Sequence, residues 1–409
     1  MYVCDKSSVE SKIKTFSGFG ATEGGGVTRL ALSKECLMAR EEFVSKMKAV
    51  GAVIETDDLA NVYATIPGSE PGLPRIVMGS HCDSVIKGGN YDGILGVMGA
   101  MEVVETIVKQ KIPHRHPITA MIWTNEEGAA HPPALMISGV VCGKFDKDTM
   151  LASKSTLDGS TFAQALEKSG YVGDEKNRLS AKNYKANFEL HIEQGPILES
   201  EKKDIGVVTC VLGMVNYRIK AFGKKNHAGT TPMSFRKDAF YAAAQALIYL
   251  HEQLDKHCPP DLVYTTGEVV CRPCVHTVIP EYVDFSIDAR HENPEVIAKV
   301  VEIITNMPSE FAKCKIETQK MWGRDTVYFD KDLVASVQKN VDALGYSNRR
   351  INSGAGHDAQ YTAGVIPSTM IFVPSKDGGS HCEEEFTSVE QCWQGMNVML
   401  NAVLETDAK

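Results

Sequence analysis

Residues 75–109 read RIVMGSHCDSVIKGGNYDGILGVMGAMEVVETIVK. The opening RIVMGSH is a short apolar run that breaks at Gly79, and it reads as a buried strand ending just before His81. From Gly93 onward the length and apolar spacing predict a helix that begins just after Asp92. A Gly-rich loop carrying His81, Asp83 and Asp92 joins the two. Strand, polar loop and helix in succession are the unit of an α/β domain, where ligands sit beyond the carboxyl ends of the strands.

The same pattern recurs on either side. ITAMIWTNEEG (118–128) is an apolar run ending in the acidic pair Glu126–Glu127, and NFELHIEQG (187–195) ends in a polar cluster with His191 and Gln194. STMIFVPSKDGGSH (368–381) carries His381 beyond its Gly-rich loop. NVYATIPG (61–68) reads as a further strand, and ECLMAREEFVSKMKAVG (35–51) as a helix stopped by Gly51. An α/β sheet would bring the four polar clusters to one edge.

The middle of the chain differs. CVLGMVNYRIKAFG (210–223), NHAGTTPM (226–233) and a long helical pattern (235–256) are followed by two strand-like runs, 263–273 and 282–291, and a second helix, 294–307. That order makes one compact α+β unit at about 211–325. It is inserted into a discontinuous first domain, 1–210 and 326–409.

Composition narrows the function. The 409 residues suggest two domains. With 43 basic and 52 acidic residues the formal charge is −9, which argues against a nucleic-acid partner. Hydrophobic residues at 43% and charged residues at 23% are ordinary for a globular chain. No apolar run has the ~18 residues of a membrane span, and the N-terminal MYVCDKSSVESKIK has no apolar core of a secretory leader. Eleven scattered cysteines form no disulfide framework, so a reduced, cytoplasmic enzyme is expected.

His81, Asp92, Glu126–Glu127, His191 and His381 each close an apolar run. Any one of them alone reads as a solvated loop residue. Their co-occurrence on the four polar clusters points to a metal site, since imidazole and carboxylate suit zinc, manganese, cobalt or nickel. A carboxylate shared between two cations would bridge them, and adjacent glutamates allow one to bind metal while the other moves protons. Spacing does not say which glutamate does which.

GGGVTRLALS (24–33), SHCDSVIKGGNYDGILGVMGAMEV (80–103), TNEEGA (124–129), ELHIEQGPILE (189–199), NHAGTTPM, GAGHDAQ (354–360) and GSHCEEEFT (379–387) together resemble the hydantoinase/carbamoylase family of dinuclear metal amidohydrolases. That family includes N-carbamoyl-L-amino-acid hydrolase, allantoate amidohydrolase and the yeast type of β-ureidopropionase. The resemblance implies a zinc-exopeptidase-like α/β fold, a mixed sheet with helices on both faces, and an inserted lid that dimerises. It implies two divalent ions per subunit, zinc first, then manganese, cobalt or nickel. Asp92 would bridge them, with His81 and His191 completing one site and Glu127 and His381 the other. Glu126 would be the general base, and Asp83 would hold the far nitrogen of His81.

The implied substrate is an N-carbamoyl (ureido) amino acid, cleaved at a linear C–N bond to the amino acid, ammonia and carbon dioxide. Arg290 would clamp its carboxylate, although Arg290 also fits a surface residue at a strand end. His227 would donate to the developing oxyanion, and otherwise reads as a turn residue. Gln194 and His357 are further substrate contacts by resemblance. His357 reads alternatively as a loop residue capping Asp358. The chain departs from its relatives at Thr277, where they often have Asn, and at Ala130-His131, where Arg-Phe is common. Both positions bear on substrate choice, since Thr277 would contact it.

Allantoate and N-carbamoyl-β-alanine are therefore alternative substrates. A dipeptidase or aminoacylase fits less well, because HIEQGP puts a histidine where those branches have Asp or Glu. A non-catalytic metal-binding homologue would not need an intact Glu126. Cys271-Arg-Pro-Cys274 lacks the second pair of a zinc knuckle and reads as structural, and Lys220–Lys225 reads as a solvated basic face.

Overall fold

The structure, a computed structural model, describes residues 1–70 and 72–409. It divides into two compact units, Met1–Thr209 with Tyr328–Lys409, and Cys210–Val327.

The first unit is built on a mixed nine-stranded sheet. Its early strands are β1 (Val53–Thr56), β2 (Val62–Ile66), β3 (Arg75–His81), β4 (Ile118–Trp123), β5 (Tyr184–Ile192) and β6 (Ile205–Val211). The order is β1-β2-β4-β3-β5, then Ser368–Val373, β6 and Val327–Tyr328, with Asn348–Ser353 also on β6. β4, β3, β5 and Ser368–Val373 run parallel. The flanking pairs, β1 with β2, β2 with β4, and Ser368–Val373 with β6, are antiparallel.

The parallel strands are apolar and almost wholly buried, as strands covered on both faces must be. Tyr63, Val77, Met121, Trp123 and Tyr184 pack with Leu179 and Ile366. Each such side chain removed from water contributes roughly 1.5–3 kcal/mol. Helices Ile94–Lys109 and Val389–Ala408 pack on the sheet and on one another. The second starts at a capping box, in which Ser388 and Gln391 satisfy each other's backbone N–H. No helix among the described residues is long and apolar enough to cross a membrane.

The second unit is an antiparallel six-stranded sheet. Tyr282–His291 and Cys314–Arg324 flank Gly213–Phe222. Helices Ala239–His257 and Pro294–Thr305 bury Ala242, Ala246, Leu250, Val300 and Ile304 against Ile219, Phe285 and Ile287. The long helix starts at Ala239 rather than Phe235, because Asp238 takes the N–H groups of Phe240 and Tyr241 in its side chain and caps it there. The run 263–273 is two short strands, Val263–Thr265 and Val269–Arg272, rather than one.

Candidate metal centre

His81 is the last residue of β3 and His191 the penultimate residue of β5, so both belong to the strands rather than following them. Glu126 and Glu127 lie just beyond β4. His381 stands on the loop after Ser368–Val373. Because these strands are parallel, their carboxyl ends converge on one edge, and Asp92 joins them from the loop before helix Ile94–Lys109. That loop needs glycine at its end. Gly93 has φ 66°, and a Cβ there would lie 2.2 Å from His81 Nε2.

Asp92 is the hub. Its Oδ1 lies 3.1 Å from His191 Nε2 and 3.6 Å from His81 Nε2, while its Oδ2 lies 3.3 Å from His381 Nε2. His381 Nε2 is 3.5 Å from Glu127 Oε2, and His81 Nε2 is 3.6 Å from Glu126 Oε2. Among the described residues four clusters could hold an ion, His81–Asp92–His191, Asp92–Glu127–His381, His81–Glu126–Glu127 and Glu189–His191–His357, and the first two share Asp92. Ligands about 2.0–2.1 Å from a tetrahedral ion stand about 3.3 Å apart, which these separations bracket.

The ring tautomers suit ligation. His81 Nδ1 is 2.9 Å from the Asp83 carbonyl oxygen, and His191 Nδ1 is 2.9 Å from that of Ile192. A carbonyl only accepts, so each Nδ1 carries a proton, and Nε2 is the nitrogen left to face the centre, where a cation would take the place of the proton it shares with Asp92. The Gly93 N–H points at His191 Nε2 from 3.2 Å. The far nitrogen of His81 is thus held by the main-chain carbonyl of Asp83, not by its carboxylate, which is 3.9 Å away. The carboxylate instead accepts the N–H groups of Glu126 and Glu127 at 3.4 and 3.2 Å, fixing the loop that bears them.

Charge also fits divalent cations. Asp83, Asp92, Glu126, Glu189, Asp358 and Glu385 are buried and Glu127 is nearly so, while His81, His191, His357 and His381 stand among them. Burial opposes the charge of Asp92, yet hydrogen bonds with His191, His381 and His81 hold it well below the ordinary carboxylate range. Burial pushes Glu126 well above that range; His81 opposes the rise, and Glu127, Asp358 and Asp92 reinforce it. Burial and Asp92 lift Glu127 to about 7, and burial with Glu189 lifts Asp358 to about 8. The Asp92 hydrogen bond raises His381 to about 9. Burial works against charge on His81 and His191, but the carboxylates around them prevail and raise both. Glu127 Oε1 is buried with no protein partner. Crowded acids holding one another protonated, and an orphaned ligand oxygen, are what two cations would relieve.

Further groups close the site. Gln194 donates through Nε2 to Asp92 Oδ2 at 2.8 Å and to Ser380 Oγ at 3.1 Å, and Ser380 Oγ donates to the same Asp92 oxygen at 3.1 Å. His357 lies 2.8 Å from Ser353 Oγ and packs edge-on against His191 at 4.5 Å. Its side chain does not cap the helix Asp358–Thr362 that it precedes. Asn125, Gln194 and His381 have φ between 55° and 57°, a strained region for residues with a Cβ and one that clusters at functional sites. Ser380, Glu189, Asp358 and Glu385 were not singled out in the sequence, although each adjoins or lies within a motif quoted above.

His227, Thr277 and Arg290 belong to the second unit. His227 is exposed and pairs with Val278 across a two-stranded ladder, and the Thr277 carbonyl accepts from the Ala228 N–H. His227 Nδ1 accepts from the N–H groups of Gly229 and Thr230 at 3.0 and 3.2 Å, so its proton sits on Nε2. Arg290 donates to both oxygens of Asp288, through Nε at 2.7 Å and Nη2 at 3.4 Å. Cys271 and Cys274 are free thiols, as are the other nine cysteines.

Residues 77–405 match the peptidase family M20/M25/M40. An N-carbamoyl-L-amino-acid amidohydrolase of Paenarthrobacter aurescens is 34% identical, covering 98% of this chain and 97% of its own. An allantoate amidohydrolase of Escherichia coli is 31% identical, covering 96% of each. The crystal structure of a hydantoinase/carbamoylase family amidase from Burkholderia multivorans superposes with a TM-score of 0.91 at 36% identity, over 100% of this chain and 99% of that one. Ligand-bearing strands, a shared aspartate and matches over nearly the whole length make this chain a member of the peptidase family M20/M25/M40, in its hydantoinase/carbamoylase branch.

Proposed function

We propose that the chain is a dinuclear metal amidohydrolase that cleaves N-carbamoyl amino acids at the linear C–N bond of the ureido group. The observation that carries this reading is Asp92, with Oδ1 facing His81 and His191 and Oδ2 facing His381, beside a second glutamate left over at Glu126. His81, Asp92 and His191 would hold one divalent ion, and Asp92, Glu127 and His381 the other. Zinc is the first expectation, with manganese, cobalt or nickel as alternatives. Such ions, when bound, polarise a carbonyl oxygen and lower the pKa of water.

Glu126 takes the proton of the attacking water and delivers it to the leaving nitrogen. The C–N bond breaks to give the free amine and a carbamate, which decomposes to ammonia and carbon dioxide. Asp83 holds Glu126 and Glu127 in place through their N–H groups. His227, with its proton on Nε2, donates to the developing oxyanion. Arg290 clamps the substrate carboxylate, and Thr277, Gln194 and His357 complete the contacts. The second unit would act as lid and dimerisation domain of a homodimer, which its exposed Phe240, Tyr241 and Ile248 support. A cytoplasmic location is supported by eleven free cysteines.

Allantoate is the second substrate, favoured by the nearly equal identity to the Escherichia coli enzyme. Purified protein loaded with each metal and offered N-carbamoyl-L-amino acids, allantoate and N-carbamoyl-β-alanine should release ammonia from one class. No release from any of them by folded, metal-loaded protein would refute the reading.

A further inference from the structure

The geometry points to Glu385 as the positioning residue that sets Asp92 between the two ion sites, an inference that rests on the metal reading above. Asp92 must aim two oxygens at two different ligand groups. Its loop has little stiffness of its own, since Gly88, Gly89 and Gly93 surround it. The missing constraint comes from the loop that bears His381. Four residues after that histidine, Glu385 Oε1 accepts the N–H of Tyr91 at 2.9 Å and that of Asp92 at 3.0 Å. One carboxylate oxygen thus pins two successive peptide units, the second being that of the shared ligand itself.

Three features mark this as a built contact. Glu385 is 3% exposed, and its other oxygen is buried without a protein partner, so the group is neither a surface charge nor half of an ion pair. The peptide of Gly89 passes so close that a Cβ there would stand 2.0 Å from Oε1. Phe386 packs its ring edge-on against Tyr91 at 5.9 Å, gripping the same loop from the next residue. The segment that supplies one site's histidine therefore also orients the ligand common to both. Glu385 acts through the main chain of Asp92 and supplies no ligand atom to either ion group.

The test is zinc binding by the full chain, read by competition with a chelating dye and by metal analysis, alongside the melting temperature of the metal-free protein. Glu385→Ala should weaken zinc affinity roughly 10- to 100-fold, the usual range when a group supporting a ligand is lost. Glu385→Gln should restore most of it, because an amide oxygen accepts the same two N–H groups. Gly89→Ala should reproduce the defect with the carboxylate still present, which guards against an alanine variant that merely misfolds. Wild-type affinity in both Glu385→Ala and Gly89→Ala would overturn the inference while leaving the metal reading intact. So would a Gln variant as weak as Ala. A wild-type chain that takes up no zinc would overturn the metal reading and this inference with it.

Discussion

Gly93→Ala separates an assembled centre from a mere gathering of polar residues. The new Cβ would lie 2.2–2.4 Å from Nε2, Cε1 and Cδ2 of His81, whereas carbon atoms in contact stay about 3.5–4.0 Å apart. Relief needs a shift of about 1.3 Å or more in the ring or in the start of helix Ile94–Lys109, against about 0.2 Å of tolerance in a ligand bond. The backbone at φ 66° adds strain of order 1–3 kcal/mol for a residue with a Cβ. A misplacement near 1 Å costs on the order of 10²-fold in rate. We expect kcat to fall by about that factor, with the ion of the His81–Asp92–His191 group lost first. Steady-state kinetics, metal analysis and a melting curve on one preparation decide it. A variant that keeps two ions and near-wild-type kcat would show that His81 does not need its observed position.

Glu126→Gln should retain both ions while kcat falls by roughly 10²–10⁴-fold, the span of a lost general base, and surviving turnover would reassign the base. Arg290→Lys should raise KM for a carboxylate-bearing substrate roughly tenfold or more with a smaller change in kcat, because an ammonium cannot pair bidentately; an unchanged KM would remove Arg290 from the site. Burial works against charge on Asp58, but Arg178 and Lys147 outweigh it and hold its carboxyl below the ordinary range. Its contribution to stability is therefore complete at neutral pH and lost as pH falls through the folded-state pKa. The melting-temperature gap between wild type and Asp58→Asn should be widest near pH 7 and close in acid, and a gap independent of pH would contradict the assignment.

The mixed α/β architecture was legible because parallel strands buried on both sides are uninterrupted apolar runs, and 75–81, 118–123 and 368–373 are such runs. The grouping of His81, Asp92, Glu126, Glu127, His191 and His381 was legible for the same reason, since polar residues closing parallel strands converge. What pattern cannot carry is direction. Alternation decides which way His191 faces inside β5, and no spacing says that Asp83 would use its carbonyl on His81 and its carboxylate on the next loop. Glu385 was hidden in the run Glu383–Glu384–Glu385, which looks like a solvated acidic turn until its third member is found buried. The helix start at Ala239 was missed because Asp238 inside a helical pattern reads as an exposed charge rather than a cap.

The strand Ser368–Val373 lies between β5 and β6, although more than 150 residues of chain separate it from both. During synthesis the sheet therefore waits with two open edges until residues 368–373 have been made. One of those edges belongs to β5, the strand carrying His191. An unpaired, apolar strand edge is a template for joining other chains. Premature termination between residues 212 and 367 should then yield aggregates rather than a soluble inactive fragment, because both edges are made and the strand that joins them is not.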